Sequence, residues 1–203
     1  MSLNDTRKRT LKMVQLAFLC ALVVVLQLVS YYVRVSTVPV SLVLIPITIG
    51  GMIAGVGGGT FLGAVFGIVC LVTSFTGIDT AGFYLLGINA FEAVLIIVVK
   101  GVAAGLVSAL VYKLLRRAGL TAVPSSAICA AITPLVNTGL FLAGMYLFFA
   151  DTLSQWAGGS TAIVTVLTTV VGINFVVEFL TTVVLTPILV STLSRNRNFK
   201  NMF

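Results

Sequence analysis

The sequence predicts an all-α integral membrane protein, a bundle of six transmembrane helices with both termini in the cytoplasm. Its composition, its length and the distribution of its basic residues indicate this fold. Of the 203 residues, 59% are hydrophobic and only 8% are charged, and the mean hydropathy is +1.19. A soluble domain is about one-quarter charged, so this chain lacks the residues to cover a water-facing surface. Because a spanning helix needs about 20 apolar residues, the length allows roughly six spans and no separate soluble domain.

Six apolar runs account for the predicted spans, and together they form a single domain over 1–203. The first run follows a basic N-terminal tail, 1–12, and is too long for the hydrophobic segment of a signal peptide. Pro46 is expected to kink the second helix, because proline removes a backbone donor. Residues 76–89 are mixed in polarity and rich in Gly and Thr, which favours a loop. The predicted helices cover about 13–33, 38–54, 56–75, 90–115, 125–149 and 161–193, and a C-terminal tail covers 194–203.

The basic residues predict the orientation of the bundle, since Lys and Arg favour the cytoplasmic ends of membrane spans. With six spans and a cytoplasmic N-terminus, ten of the twelve basic residues lie on the cytoplasmic side. A five-span arrangement would place one terminal basic cluster outside. The net charge of +7 reflects this bias and does not indicate a nucleic-acid partner. The ten residues are Arg7, Lys8, Arg9, Lys12, Lys113, Arg116, Arg117, Arg195, Arg197 and Lys200.

The residue inventory excludes several kinds of chemistry. The chain has no histidine, which rules out His-metal sites, Ser-His-Asp triads and Cys-His pairs. Cys20, Cys70 and Cys129 each lie in a separate apolar run, and we interpret them as small buried hydrophobic residues. The glycine-rich segment 50–59 has no lysine and no phosphate-binding loop motif, so the chain itself should not hydrolyse ATP. We therefore expect no enzyme activity, no metal and no cofactor.

Small residues recur every four positions, a pattern that lets helices approach closely in lipid. Ala17 and Ala21 form such a pair in the first helix, and Gly101 and Gly105 form one in the fourth. For the glycines we expect internal packing. The longest series comprises Gly51, Gly55, Gly59, Gly63 and Gly67.

Polar residues inside the predicted spans are the candidates for a ligand site, because ionisable groups are costly at membrane depth. Four of these residues lie near the middle of a predicted helix. Lys100 is in the fourth helix and Asn137 is in the fifth. The sixth helix contains both Asn174 and Glu178. Glu92 lies near the outer end of the fourth helix, within reach of water. A structural ion pair or interhelical hydrogen bonds would also explain these residues. The candidate ligand-binding set is Asn89, Lys100, Asn137, Tyr146, Asn174 and Glu178.

Helical spacing favours a shared pocket for these side chains. Asn174, Glu178 and Thr181 are spaced i, i+4 and i+7, so they lie on one face of the sixth helix. Aromatic residues near the outer loops could form the rest of the wall, although tryptophan also suits a membrane-interface anchor. These aromatic residues are Tyr84, Phe141, Tyr146 and Trp156.

Several segments, taken in order across nearly the whole chain, resemble the substrate-binding S components of energy-coupling factor (ECF) vitamin transporters. Pantothenate-type members look most similar by overall pattern. The residue at 100 departs from the family pattern, since Val99-Lys100 stands where many relatives have Pro-Arg. The matching segments are the basic tail leading into Ala17-x-x-x-Ala21, the run 39–51, Gly59-x-x-x-Gly63-x-x-Phe66-Gly67, Lys100-Gly101, Tyr112-Lys113, Thr133-Pro-Leu-Val-Asn137-Thr138 and Asn174-x-x-x-Glu178.

The resemblance implies a high-affinity vitamin-binding protein with an outward-facing pocket. Such a protein docks on a transmembrane coupling protein that carries two cytoplasmic ATPase subunits, and it topples in the membrane to release the vitamin inside. The resemblance also assigns Ala17 and Ala21 to the surface that meets the coupling protein.

The sequence leaves the identity of the vitamin open. Lys100 or Arg34 could pair with a carboxylate, which suits pantothenate, folate or biotin, while riboflavin, thiamine precursors and cobalamin also remain open. The alternatives from other classes are an independent small channel or secondary carrier, and a small membrane enzyme.

Overall fold

The computed structural model describes residues 3–32, 34–35, 38–39, 42–156 and 172–195, and it is almost entirely helical. In chain order the elements are α1 (Leu3–Ser30), β1 (Arg34–Val35), β2 (Val38–Pro39), α2 (Leu44–Phe75), α3 (Thr80–Ile88), α4 (Ala90–Arg117), α5 (Ala122–Phe148), α6 (Ala150–Trp156) and α7 (Gly172–Arg195). The two short strands pair in antiparallel orientation. Within the described residues, five helices are long and apolar enough to cross a membrane: α1, α2, α4, α5 and α7. The predicted all-α membrane class is confirmed.

Helix α2 is interrupted at Gly55, whose φ of 75° and ψ of −165° are not helical. Glycine adopts a positive φ without the steric cost that a Cβ brings. The arms 44–54 and 56–75 pack against each other, since a Cβ on Gly59 would lie 3.1 Å from the Gly51 Cα. The interruption therefore falls at the residue that separates the predicted second and third helices.

The prediction that Pro46 kinks this part of the chain is wrong. Pro46 lies in the first turn of α2, which begins after Val43. A helix's first N–H groups have no partner within the helix, so a missing donor there costs nothing. The helix also begins later than predicted, because Val38 and Pro39 belong to β2.

Glycines bring the second arm of α2 and helix α4 into backbone contact. A Cβ on Gly59 would lie 2.5 Å from the carbonyl oxygen of Gly105. Likewise, a Cβ on Gly101 would lie 2.7 Å from the carbonyl oxygen of Gly63. Any larger residue at these positions would push the two helices apart. The packing interpretation of these four glycines is confirmed.

Other boundaries also differ from the sequence-based ones. Helix α1 begins at Leu3, so the described part of the basic tail is helical. Helix α3 occupies part of the predicted loop, and the Asp79 carboxylate caps it by accepting a hydrogen bond from the Gly82 N–H at 3.2 Å. The predicted sixth helix overlaps α7, while residues 157–171 lie outside the described part of the chain.

The apolar core consists of two clusters of buried side chains. The larger joins α1, α2, α4, α5 and α7 and includes the fully buried Leu44, Ile47 and Leu62. The smaller lies between α3, the start of α4 and the end of α5, around Leu85 and Met145. Residues from both clusters line the cavity that forms the candidate site, so the cavity lies where they meet.

Candidate ligand-binding site

A cavity of about 180 Å³ opens among helices α1, α2, α3, α4, α5 and α7. Apolar side chains from both core clusters, including Phe66, Leu85 and Ile97, form part of its wall. Polar and charged groups form the rest. These residues are Gln27, Ser30, Tyr31, Asp79, Lys100, Asn137, Thr138 and Glu178. A mixed wall of this kind suits a small ligand that has both polar and apolar parts.

Among the described residues that line the cavity, Lys100 is the one that carries a positive charge. Its side chain is half-buried on α4, and its Nζ lies 4.7 Å from the centre of the Phe141 ring on α5. The negative face of an aromatic ring attracts a cation, an interaction worth about 0.5–2 kcal/mol. Phe141 therefore holds the ammonium at the cavity wall without using a carboxylate.

Two acceptor atoms at the cavity have no hydrogen-bond partner among the described residues. They are the Oδ1 of Asn137, whose side chain is 7% exposed, and the Oε1 of Glu178, which is 3% exposed. The Oε1 of Glu178 thus accepts no hydrogen bond from Lys100, although both residues line the same cavity. An unsatisfied buried acceptor costs about 1–3 kcal/mol. A ligand with hydroxyl or amide donors would satisfy both atoms.

Helix α1 contributes a polar network that the sequence pattern did not predict. Gln27 Nε2 donates a hydrogen bond to the Tyr31 hydroxyl at 3.0 Å, and it lies 3.4 Å from Cys70 Sγ. The hydroxyls of Tyr31 and Thr73 are 2.9 Å apart. Burial raises the pKa of the Tyr31 phenol, so it remains a neutral hydroxyl. This network joins α1 to α2 beside the cavity.

A spacing signal could have identified these α1 residues. Gln27, Ser30 and Tyr31 are spaced i, i+3 and i+4, so they share one face of an otherwise apolar helix. Asp79 was missed as well, because a single aspartate in a Gly- and Thr-rich segment is typical of any turn. In the structure its Oδ2 also lies 3.4 Å from the Ser74 hydroxyl, which donates to it.

The structure brings three predicted ligand-binding residues together at the cavity: Lys100, Asn137 and Glu178. Asn174 belongs to α7 one turn before Glu178, but its side chain lies outside the described residues. The same holds for the side chain of Trp156.

Two other predicted residues lie outside the described cavity lining. Asn89 is exposed and caps α4, where its Oδ1 accepts a hydrogen bond from the Glu92 N–H at 3.4 Å. Tyr146 is 70% exposed. Tyr84 is also exposed, whereas Phe141 from the predicted aromatic wall does line the cavity.

Ala17 and Ala21 lie on the exposed face of α1. Large apolar side chains flank them on this face, including Val14, Phe18 and Val25, each more than half exposed. The buried side of α1 packs against α2. This arrangement leaves a stripe of α1, small in the middle and apolar at its edges, open to lipid or to another helix.

The fold and the cavity define a small multi-pass membrane protein that can bind a solute between its helices. Comparison with known proteins identifies the class more closely. The family of the ECF transporter substrate-specific component matches residues 11–190, and the chain belongs to this family. It is a vitamin-specific binding component of the cell membrane, and members of its family work with an ECF module of coupling and ATPase subunits.

An individual relative supports the same assignment. The pantothenic acid transporter PanT of Lactococcus lactis subsp. cremoris (strain MG1363) is 30% identical over 200 residues, which cover 90% of this chain and 93% of the relative. No solved structure matches the chain at a significant level.

Proposed function

We propose that this protein is the pantothenate-binding component of an ATP-driven ECF importer. The observation that carries the proposal is the convergence of the Lys100 ammonium with two unpartnered acceptors, Asn137 Oδ1 and Glu178 Oε1, on one cavity. Pantothenate has one carboxylate, two hydroxyls and an amide N–H. Its carboxylate would pair with Lys100, and its donors would satisfy the acceptors.

The size of the cavity and the similarity to PanT support the same ligand. Pockets for drug-sized ligands measure about 300–1,000 Å³. The cavity, at about 180 Å³, is smaller, which favours a compact vitamin over cobalamin. The relative named for pantothenic acid matches most of the chain.

The proposal includes one membrane domain over 1–203 with six spans and cytoplasmic termini. The two arms of α2 lie side by side after the Gly55 interruption, which supports counting them as separate helices. Together with α1, α4, α5 and α7 they would make six. The clustering of ten of the twelve basic residues on one side supports the orientation.

Delivery would require the ECF module, because the chain has no nucleotide-binding motif of its own. We propose that Ala17 and Ala21 meet the coupling protein, since small exposed residues let a second helix approach closely. The two ATPase subunits would supply the energy, and the binding component would topple in the membrane to deliver the vitamin. We expect it to catalyse no reaction and to need no cofactor.

A ligand panel on the purified protein tests this function. Isothermal titration should show tight binding of pantothenate and much weaker binding of pantothenol, the alcohol that lacks the carboxylate. Biotin, riboflavin, thiamine and folate should not compete. Tight binding of another vitamin in place of pantothenate would refute the choice of ligand. Uptake by vesicles that contain this chain alone would instead favour the independent carrier.

A further inference from the structure

A second cavity, of about 380 Å³, lies at the far end of α4 from the vitamin cavity. It is bounded by the Gly55 interruption of α2 on one side and by the last turns of α4 on the other. Lys100 and Lys113 line the two cavities, and their positions on α4 are roughly 20 Å apart along the helix axis. The second cavity is therefore separate from the vitamin site.

Three cations surround this second cavity: Lys113, Arg116 and Arg117. Within the described part of the chain, no carboxylate lines it. Arg116 is partly engaged, because its Nη1 donates a hydrogen bond to the Leu120 carbonyl at 2.7 Å. Lys113 and Arg117 are exposed, and the described residues offer them no ion-pair partner. Cations stabilise the C-terminal end of a helix such as α4. That effect does not explain why these three cations line the same cavity.

The outer face of α4 beside the cavity combines basic and apolar residues. Leu110, Lys113, Leu114 and Arg117 are spaced i, i+3, i+4 and i+7, so they share one face. Leu110 is 40% exposed and Leu114 is 60% exposed. A free phosphate ion would use only the cations, whereas a phospholipid would use both kinds of residue.

We propose that this cavity binds the phosphate headgroup of an anionic phospholipid in the cytoplasmic leaflet. Lys113 and Arg117 hold the phosphate, and Leu110 and Leu114 contact an acyl chain. Basic pockets between membrane helices on the cytoplasmic side bind anionic headgroups by this chemistry. The choice of leaflet rests on the orientation proposed above, which places these residues in the cytoplasm.

Native mass spectrometry of the purified chain tests the proposal. Phosphatidylglycerol should remain bound at concentrations where phosphatidylcholine does not. The double variant Lys113→Gln, Arg117→Gln keeps Arg116, whose Nη1 donates a hydrogen bond to the Leu120 carbonyl just after α4. It should bind phosphatidylglycerol roughly 10- to 30-fold more weakly. Its vitamin affinity should stay at the wild-type value, which also shows that it folds.

The matched control is Lys12→Gln, Arg195→Gln. It removes two exposed cations that lie outside the described lining of this cavity, and it should keep wild-type lipid affinity. Equal binding of both lipids by the wild-type chain would overturn the proposal, and this comparison needs no variant. If millimolar inorganic phosphate displaces phosphatidylglycerol, the cavity binds free phosphate and the lipid proposal is wrong.

A third outcome would point to a protein contact. If the double variant keeps its lipid affinity but no longer assembles with the coupling protein, the cavity binds a protein and the lipid proposal fails. Because lipid and vitamin binding are measured separately, a failure of the pantothenate proposal leaves this test intact.

Discussion

The ammonium of Lys100 lies 4.7 Å from the centre of the Phe141 ring, where it joins α4 to α5 at the cavity wall. This contact keeps a positive charge at the cavity while the Glu178 Oε1 stays unpartnered among the described residues. An arriving carboxylate can therefore pair with Lys100 without first breaking a hydrogen bond to that oxygen. This geometry agrees with the proposed pairing of Lys100 with the carboxylate of the vitamin.

Lys100→Met tests the role of this charge, because methionine is unbranched and uncharged. Losing a charge-assisted hydrogen bond should weaken pantothenate binding roughly 10- to 100-fold. Pantothenol, which has no carboxylate, should bind the variant and the wild-type chain alike. Isothermal titration with both ligands measures the difference. An equal loss for the two ligands would show that Lys100 supports the cavity and does not contact the carboxylate.

Glu178→Leu should separate binding from stability. Removing a buried acceptor that has no partner should stabilise the empty protein by about 1–3 kcal/mol, while vitamin affinity falls. Thermal unfolding in detergent and titration measure the two effects. Thr182→Val is the control, since Thr182 lies one turn away and bonds only to the Glu178 carbonyl in the described contacts. A less stable Glu178→Leu protein would mean that this carboxyl group supports the fold.

Ala17→Trp combined with Ala21→Trp should block docking. Both alanines are exposed on α1, so bulky residues there should leave vitamin binding unchanged and prevent a second helix from approaching. Co-purification with the coupling protein and the ATPases measures assembly. Ala143→Trp, at an exposed position of α5, serves as the control and should assemble normally. Normal assembly of the double variant would place the docking surface elsewhere.

Gly105→Ala should destabilise the fold by about 1–3 kcal/mol, because the new methyl group would overlap the Gly59 carbonyl oxygen. Gly139→Ala is the matched change, since a Cβ there meets nothing within 4 Å. The latter should stabilise the helix by up to about 1 kcal/mol, because alanine favours helix more than glycine does. Thermal unfolding of both variants gives the comparison, and equal midpoints would contradict the close packing.

Comparing Gly55→Ala with Gly57→Ala measures how much the positive φ of Gly55 costs in stability when the residue has a Cβ. A Cβ at either position meets nothing within 4 Å, but only Gly55 of the two has a positive φ, at 75°. The change at Gly55 should cost about 1–3 kcal/mol, because its φ and ψ fall in a region that glycine alone adopts readily. The change at Gly57 should not destabilise the protein. Similar unfolding temperatures for the two variants would show that α2 runs on without an interruption.

The long helices could be predicted from the sequence because lipid allows few alternatives. A spanning segment must satisfy its own backbone hydrogen bonds and stay apolar, so a long apolar run predicts a helix, as it does for α4 and α5. The same reasoning cannot predict α3. Its nine residues are too short to span a membrane, and they form a helix next to the Asp79 cap and the packed Leu85.

The cavity residues in the middle of the spans could be predicted from the sequence, whereas those near the helix ends could not. Lys100, Asn137 and Glu178 were identified because polar groups in mid-span are costly. Gln27 and Tyr31 lie near the end of an apolar run, where polar residues are common, and only their tertiary contacts place them at the cavity. Asn89 and Glu92 match the spacing of a helix cap, which the structure shows them forming.

The backbone contact between α2 and α4 has a mechanical consequence. A side chain can adapt to a ligand by changing its rotamer. A backbone carbonyl packed against a glycine Cα cannot adapt in this way. The distance between α2 and α4 is therefore fixed. The same holds for the cavity walls that they form, with Phe66 and Cys70 on α2 and Ile97 and Lys100 on α4. If these two helices keep their spacing, any widening of the cavity comes from the other elements that line it, which are α1, α3, α5 and α7.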